Sequence, residues 1–446
     1  MPASPSTARA INDRLALRLF QQEGPLTAGQ LKQLTGLSRP TVADLVERLT
    51  AAGLIMVVGE SGEQRRGPNA KVYGIVADRA HLAALDIRTE GVAVTVADLV
   101  GRVLAEASAP VGDDTGTGPA VEQAVALVER VVKEAGADRL HTVGIGAPGL
   151  IDPASGELRD SSGLPQWHRR LVAALQERLP EARVSVENET NLAALAEQRD
   201  GVARDRDTFV LLWLGHGTGA AVVLDGALRR GASGGTGEIG FLPVPGTAAL
   251  PSSTDCEGGF HSLAASGAVV DLAAQCGIST EPGQEPSAVG VVRAAAGLVR
   301  SAVRDARGAE TTAGASGTAR EGEVSRSVRG AETSASPRAF PAASPRAVPA
   351  ARFLDALADR IAVGVASVVA ILDPGCVVLG GEVGQAGGDE LAARVQERIA
   401  RMTPLPTEVR TTALGGSAVL RGALLTARDR AQEELFTPGE RPVRRW

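Results

Sequence analysis

Three cysteines in 446 residues exclude a disulfide-stapled domain, because Cys256, Cys276 and Cys376 are odd in number and far apart. No apolar run approaches the ~18 residues that mark a membrane-spanning helix. The opening stretch MPASPSTARAIND has no apolar core of a secretory leader. Both absences point to a cytoplasmic protein with no membrane partner. A dominant charge sign is missing too: 46 basic residues against 52 acidic ones give a net charge of −6, so the total does not suggest a polyanion partner. A local patch can still hide in that total, since recognition follows charge distribution. The basic residues are almost all arginine, which beside so much alanine and glycine reads as codon bias. What is present is a chain 44% hydrophobic and 22% charged, long enough for two or three domains.

Residues 12 to 76 read as one compact unit. NDRLALRLFQQEG has helical apolar spacing and is stopped by Gly24-Pro25. Thr27 is placed to cap AGQLKQLTG, with Gly36 at its end. Ser38 is placed to cap RPTVADLVERLTAAG, with Pro40 in the first turn. LIMVV and AKVYGI then form two strands around the loop GESGEQRRGPN. Helix, helix, turn, helix and a two-stranded wing is the order of a winged helix-turn-helix. Leu31, Leu34, Leu37, Val42, Leu45, Val46 and Leu49 are the expected core. Ser38, Arg39, Thr41, Asp44 and Arg48 are left on the outer side of the second motif helix, whose first turn would enter a major groove. Arg39 could read a guanine, and Ser38 or Thr41 a phosphate or base edge. Arg65 and Arg66 on the wing tip suit a minor groove, and Thr27 joins the DNA-binding set as the preceding cap. Residues 1–78 carry nine Lys+Arg against seven Asp+Glu, a local +2. A winged helix used only to bind protein is the competing reading.

From about residue 80 short apolar strands alternate with helices: HLAALDI, VAVTVADL, TVGIGAPGLI, RVSVEN, the pair TFVLLWLGHGTGAAVVLDG, and CVVLGG, with helices AVEQAVALVERVVKEAG, NLAALAEQR and FLDALADRIAVGVASVVAIL. This is an α/β chain in two lobes. Residues 306 to 350 interrupt it with Ala, Ser, Gly, Arg, Thr and Pro and the near-repeat RGAETTA/RGAETSA. With little apolar matter to bury, the stretch reads as a disordered, tolerated insertion.

GIGAPGLID (144–152), ENETNLAALAE (187–197), LGHGTGAAVVLDGALRRGASGGTGEIG (214–240) and LDPGCVVLGG (372–381) together resemble the ROK family of repressors and sugar kinases. The N-terminal winged helix places the resemblance in the xylose-repressor-like branch. It implies a two-lobed, actin-like (ribonuclease H-like) fold with a sugar site, and a last helix, GSAVLRGALLTARDRA, folding back on the first lobe. The expected domains are 1–78 (winged helix), 79–190 plus 416–436 (first lobe) and 191–415 (second lobe, carrying the insertion).

Carried over residue by residue, the sugar contacts are Pro148, Gly149, Asn188, Glu189 and Glu238, while Gly163 and Ser262 replace the family's asparagine and glutamate. The phosphate hairpin departs further. Family kinases open it with Asp-Ile-Gly-Gly-Thr, and this chain has Asp86-Ile87-Arg88-Thr89-Glu90. Backbone amides cradle phosphate only where side chains are absent. Glu189 stands where the kinases have a catalytic aspartate, one methylene longer than a positioned base requires, so no catalytic residue is expected. The family's zinc-binding histidine is replaced by Phe241. Cys256 and His261 supply at most two of the roughly four ligands a structural zinc needs. The resemblance therefore implies no ATP, no zinc and no metal site. It implies a repressor of carbohydrate genes that binds palindromic double-stranded operator DNA as a homodimer or dimer of dimers and responds to a sugar. An active sugar kinase, and a regulator answering to a protein partner, are the alternatives.

Overall fold

The computed structural model describes residues 5–61, 69–89, 91–112, 115–159, 164–247, 249–252, 257–278, 287–315 and 345–436. α1 (Pro5–Glu23) buries Ala16, Leu17 and Phe20, and Gly24 (φ 78°) turns the chain into β1 (Leu26–Thr27). Thr27 then starts α2 (Ala28–Thr35): its hydroxyl accepts the Gln30 N–H and the Gln30 side chain accepts the Thr27 N–H, a complete capping box. Gly36 ends α2 at φ 69°, where a side chain would be strained. Ser38 caps α3 (Arg39–Ala51). β2 (Ile55–Ser61) and β3 (Ala70–Ile75) pair antiparallel, and the small sheet runs β1-β3-β2. Leu31, Val42, Leu45, Val46 and Leu49 are buried as expected, together with Leu26, Ile55 and Ile75. Two expected core residues differ: Leu34 is 51% exposed and Leu37 only half-buried. α2 buries Leu31 alone, so its apolar stripe ends a turn earlier than the spacing suggests.

Two five-stranded sheets follow, built on one plan. In the first, β4 (His81–Arg88), β5 (Gly91–Asp98) and β6 (Val103–Pro110) form an antiparallel meander. After α4 (Thr117–Glu134), β7 (Thr142–Ala147) lies parallel to β4, and after α5 (Trp167–Arg178), β8 (Arg183–Asn188) lies parallel to β7. The order is β6-β5-β4-β7-β8. The β5–β6 turn spans Asp98–Gly101: the buried Asp98 carboxylate accepts the Val100 and Arg102 N–H groups, and Gly101 sits at φ 91°. α6 (Glu189–Arg199) leads out. In the second sheet, β9 (Phe209–Leu214), β10 (Thr218–Leu224) and β11 (Ala227–Arg229) are again an antiparallel meander. α7 (His261–Ala264), α8 (Ser266–Gln275), α9 (Ser287–Ala315) and α10 (Ala347–Leu372) intervene before β12 (Cys376–Gly380), α11 (Gly381–Met402) and β13 (Glu408–Thr411). The order is β11-β10-β9-β12-β13, with β9, β12 and β13 parallel. α12 (Ala418–Leu435) closes the described chain and packs on β4 and β7, as the resemblance implied.

Contacts divide the chain into Met1–Ala196 with Arg230–Gly235 and Ser417–Trp446, and Glu197–Arg229 with Thr236–Gly416. The winged helix thus groups with the first sheet, and a six-residue loop from the middle of the second unit's sequence groups there too. α4 and α5 cover one face of the first sheet with a core that includes Leu85, Ile87, Val94, Leu127, Val143 and Leu171. α12 covers the other face closely: a Cβ at Gly144 would strike the Ala423 carbonyl, and one at Gly422 the Leu192 carbonyl of α6. In the second unit, α8 to α11 bury Phe353, Leu357, Ile361 and Val365 among others. At the margins of the stretch 306–350, α9 runs on to Ala315 and α10 opens at Ala347, with Ala347 and Ala350 buried. The rest of that stretch lies outside the described residues. Among them, no helix is long and apolar enough to cross a membrane.

Candidate ligand site and nucleic-acid interface

The expected sugar contacts of the first unit meet at the ends of β7 and β8. β7 runs into Pro148-Gly149, where Gly149 takes φ 106° and its carbonyl turns toward β8. Asn188 ends β8 and uses its whole amide there. Nδ2 donates to the Gly149 carbonyl (3.1 Å) and to Glu189 Oε2 (2.9 Å). Oδ1 accepts the N–H groups of Thr190 (2.9 Å) and Asn191 (3.2 Å), capping α6. A primary amide has two donors and two acceptor positions, so Asn188 is saturated. It ties the glycine turn to Glu189 and has no capacity left for a ligand unless one of these bonds opens. Glu187 supports it from behind: Oε1 accepts the Asn188 N–H and Asn191 Nδ2 (both 3.0 Å), and Oε2 accepts Arg230 Nε (2.6 Å). Glu238 belongs to the second unit. Its side chain keeps open surface, while desolvation raises its carboxyl above the ordinary glutamate range.

At the end of β4 the replaced glycine has a visible consequence. Residues i and i+2 of a strand point to the same face. Arg88 therefore lies over Asp86, with Nε 2.8 Å from Oδ2 and a second nitrogen 2.7 Å away. Asp86 is 2% exposed. Beside this end of β4, near the Arg88 backbone and at the start of α5, His168 is 1% exposed, and burial pushes its pKa down to about 4. Glu90 and Gly163 lie outside the described residues.

Within the quoted stretch LGHGTG, residues 215–217 join β9 to β10. A Cβ at Gly215 would collide with the Glu382 carboxylate and lie 2.9 Å from Trp213 Nε1. Glu382, at the first turn of α11, thus places its carboxyl group against this glycine turn. Neither it nor Trp213 was singled out from sequence, although both flank quoted motifs. His261 starts α7, and burial, then the nearby His216, lowers its pKa. Ser262 Oγ donates to the Gly259 carbonyl (2.7 Å) and Phe241 is 37% exposed. Cys256 lies outside the described residues. Among those described, no group of three or more His, Cys, Asp and Glu side chains is disposed to hold a metal.

A ROK family model matches residues 82–285 and 310–430. The chain belongs to the ROK family. A MarR family model matches residues 12–67, over the winged helix. The DNA-binding transcriptional dual regulator NagC of Escherichia coli K12 is 27% identical over 244 residues, covering 53% of this chain and 58% of NagC. The xylose repressor of Caldicellulosiruptor bescii is 25% identical over 240 residues, covering 53% and 59%. The chain spans just over half the length of these curated relatives. Among solved structures, a ROK family transcriptional regulator, a homologue of the E. coli MLC protein, superposes with a TM-score of 0.67 at 19% identity over 96% of this chain and 98% of that one. The ROK hexokinase of Thermus thermophilus gives 0.54 at 26% identity, over 79% and 99%. The fold is therefore an α/β one, a winged helix followed by the ROK actin-like sugar-kinase fold.

In this ROK chain the winged helix presents its expected DNA-facing residues unequally. Arg39 is exposed in the first turn of α3. Ser38 Oγ and Thr41 Oγ1 lie 2.8 Å apart, each hydroxyl keeping spare capacity. Thr27 is engaged in its capping box. Arg48 binds Asp13 of α1 (2.6 Å) and Asp44 of its own helix, so this guanidinium fastens α3 to α1 and occupies Asp44 as well. Arg65 and Arg66 lie outside the described residues.

Proposed function

We propose that this chain is a sugar-responsive transcriptional regulator, acting as a repressor of carbohydrate genes, whose kinase-derived body performs no phosphoryl transfer. The observation that carries the reading is Arg88 on Asp86: the hairpin that presents amides and a carboxylate to a nucleotide in a kinase is occupied by its own side chain. Glu382 against Gly215 repeats the obstruction at the β9–β10 turn, and Glu189 replaces the shorter base. NagC and the xylose repressors, regulators by name, support the regulatory half. Two winged helices of a homodimer would read a palindromic operator, each with the first turn of α3 in the major groove. A sugar would contact Glu189 and the Gly149 turn, and would shift operator affinity to the extent that it binds one dimer geometry better than the other.

The test is fluorescence anisotropy of the protein on DNA fragments flanking its gene, with and without D-xylose, D-glucose and N-acetyl-D-glucosamine. Saturable binding released by one sugar is expected. Failure to select any fragment from a genomic pool would discard the DNA-binding reading. Sugar-dependent ADP release from ATP would restore the kinase, and operator binding that no sugar alters would favour a protein signal. Arg39→Ala should weaken operator binding roughly ten-fold or more, the cost of one base-reading arginine. Arg48→Ala should act mainly through a lower melting temperature.

A further inference from the structure

We infer that Arg230 is a positioning residue for the ligand site, acting through Glu187 on Asn188 and Glu189. The inference rests on the ligand site proposed above. Arg230 opens the six-residue loop Arg230–Gly235, which follows β11 of the second unit yet groups with the first. Two contacts hold it there. Arg230 Nε donates to Glu187 Oε2 at 2.6 Å. Gly234, at φ 83°, lies so close to Ile151 that a Cβ would collide with its carbonyl. Ile151 belongs to the segment that leaves the Pro148-Gly149 turn. The loop therefore braces the site from both sides, at the end of β8 and just past the glycine turn.

Glu187 is where the brace becomes a positioning device. Its carboxylate is 13% exposed, whereas the Arg230 side chain is 49% exposed. One oxygen serves Arg230 and the other serves the Asn188 N–H and Asn191 Nδ2. Without the guanidinium, a largely buried carboxylate would lack its cation. It would recover hydration by rotating outward, which releases the Asn188 amide and the Asn191 side chain. Asn188 in turn holds the Gly149 carbonyl and Glu189 Oε2. The Arg230 charge thus reaches Glu189 through two side chains, and Arg230 itself need not touch the ligand.

The test uses the full chain and two readouts. Hydrogen exchange followed by mass spectrometry compares the peptide spanning residues 187–192 with one spanning β7. Arg230→Ala should speed exchange in the first about ten-fold and leave the second unchanged. Arg230→Lys should restore most of the protection, since it keeps the charge. By calorimetry with D-xylose, D-glucose and N-acetyl-D-glucosamine, Arg230→Ala should weaken the sugar that binds about ten-fold. Glu187→Gln should do the same, and the double variant should be no weaker than Glu187→Gln alone. Unchanged exchange at 187–192 in Arg230→Ala overturns the inference, as does full additivity of the two substitutions. If the wild-type chain binds none of the three sugars, the sugar reading fails by itself, and the exchange comparison still decides whether Arg230 holds the site.

Discussion

Asp86 and Glu187 stand at the ends of β4 and β8, the two strands that flank β7 in one sheet. Each carboxylate is paired with an arginine. The Asp86 partner is two residues away on the same strand, so it falls back over the carboxylate and fills the space that a glycine would leave open. The Glu187 partner arrives from 43 residues along the chain and approaches from outside the strand, which leaves the other oxygen to organise Asn188 and Asn191. The same ion pair closes one strand end and frames the other. The difference lies in where the cation comes from: the same strand in one case, a distant loop in the other.

Four changes would break or sharpen this contrast. The largest effect is expected from acid at the closed end. His168 is held neutral, with a pKa near 4 against about 6.5 unfolded. The unfolded chain therefore binds the extra proton first, and stability falls as pH drops from about 6.5 to 4. The loss is on the order of 3 kcal/mol, and His168→Phe should flatten that window in urea titrations run at several pH values. Next, Arg88→Ala leaves the buried Asp86 short of its cation and should cost about 2 kcal/mol, below the full penalty of a buried pair because the Arg88 side chain is partly open to water. A melting temperature unchanged by Arg88→Ala would mean that Asp86 is protonated or hydrated, and the closed-end description would fail. Arg230→Ala should cost less than about 1 kcal/mol of stability, since the arginine is half exposed, while still loosening the site. A stability loss equal to that of Arg88→Ala would erase the distinction. The smallest effect is a null: Arg88→Gly combined with Glu189→Asp should leave ADP release at background, because Glu382 still crowds Gly215. Measurable turnover in that variant would mean that Glu382 at Gly215 is no lock and that positions 88 and 189 are the ones that matter.

The regular parts of this fold were legible because they rest on short-range rules. Thr27, Gly36 and Ser38 announce their caps by residue type and spacing. The doubly buried strands β4, β5, β7, β9 and β12 read as apolar runs. β6 and β13 did not stand out, since VLAEASAP is built largely of small residues and nowhere fully buried, EVRT is mostly polar, and both lie at sheet edges. α11 carries Gly384, Gly387 and Gly388, with Gly388 in a non-helical conformation, which hides a helix from any propensity argument. At the site, residue types could place Asn188 and Glu189 near a ligand. They could not show that every hydrogen-bonding position of Asn188 is taken inside the protein, nor that Arg48 would turn to Asp13 on another helix. Those outcomes depend on distances between segments far apart in sequence, as do Arg230 on Glu187 and Glu382 on Gly215.

The position of α12 has a consequence for how the protein is made. The winged helix is complete once Ile75 has emerged from the ribosome, and its contacts are local. The first sheet waits far longer. One of its faces is closed by residues 418–435, through the glycine contacts at 144 and 146, so that face of β4 and β7 stays uncovered until residue 418 and those after it have been synthesised. Pairings across such separations form slowly and leave apolar surface exposed meanwhile. A nascent chain would therefore carry a finished winged helix well before the first sheet is closed, and a message truncated before codon 418 would yield the first without the second.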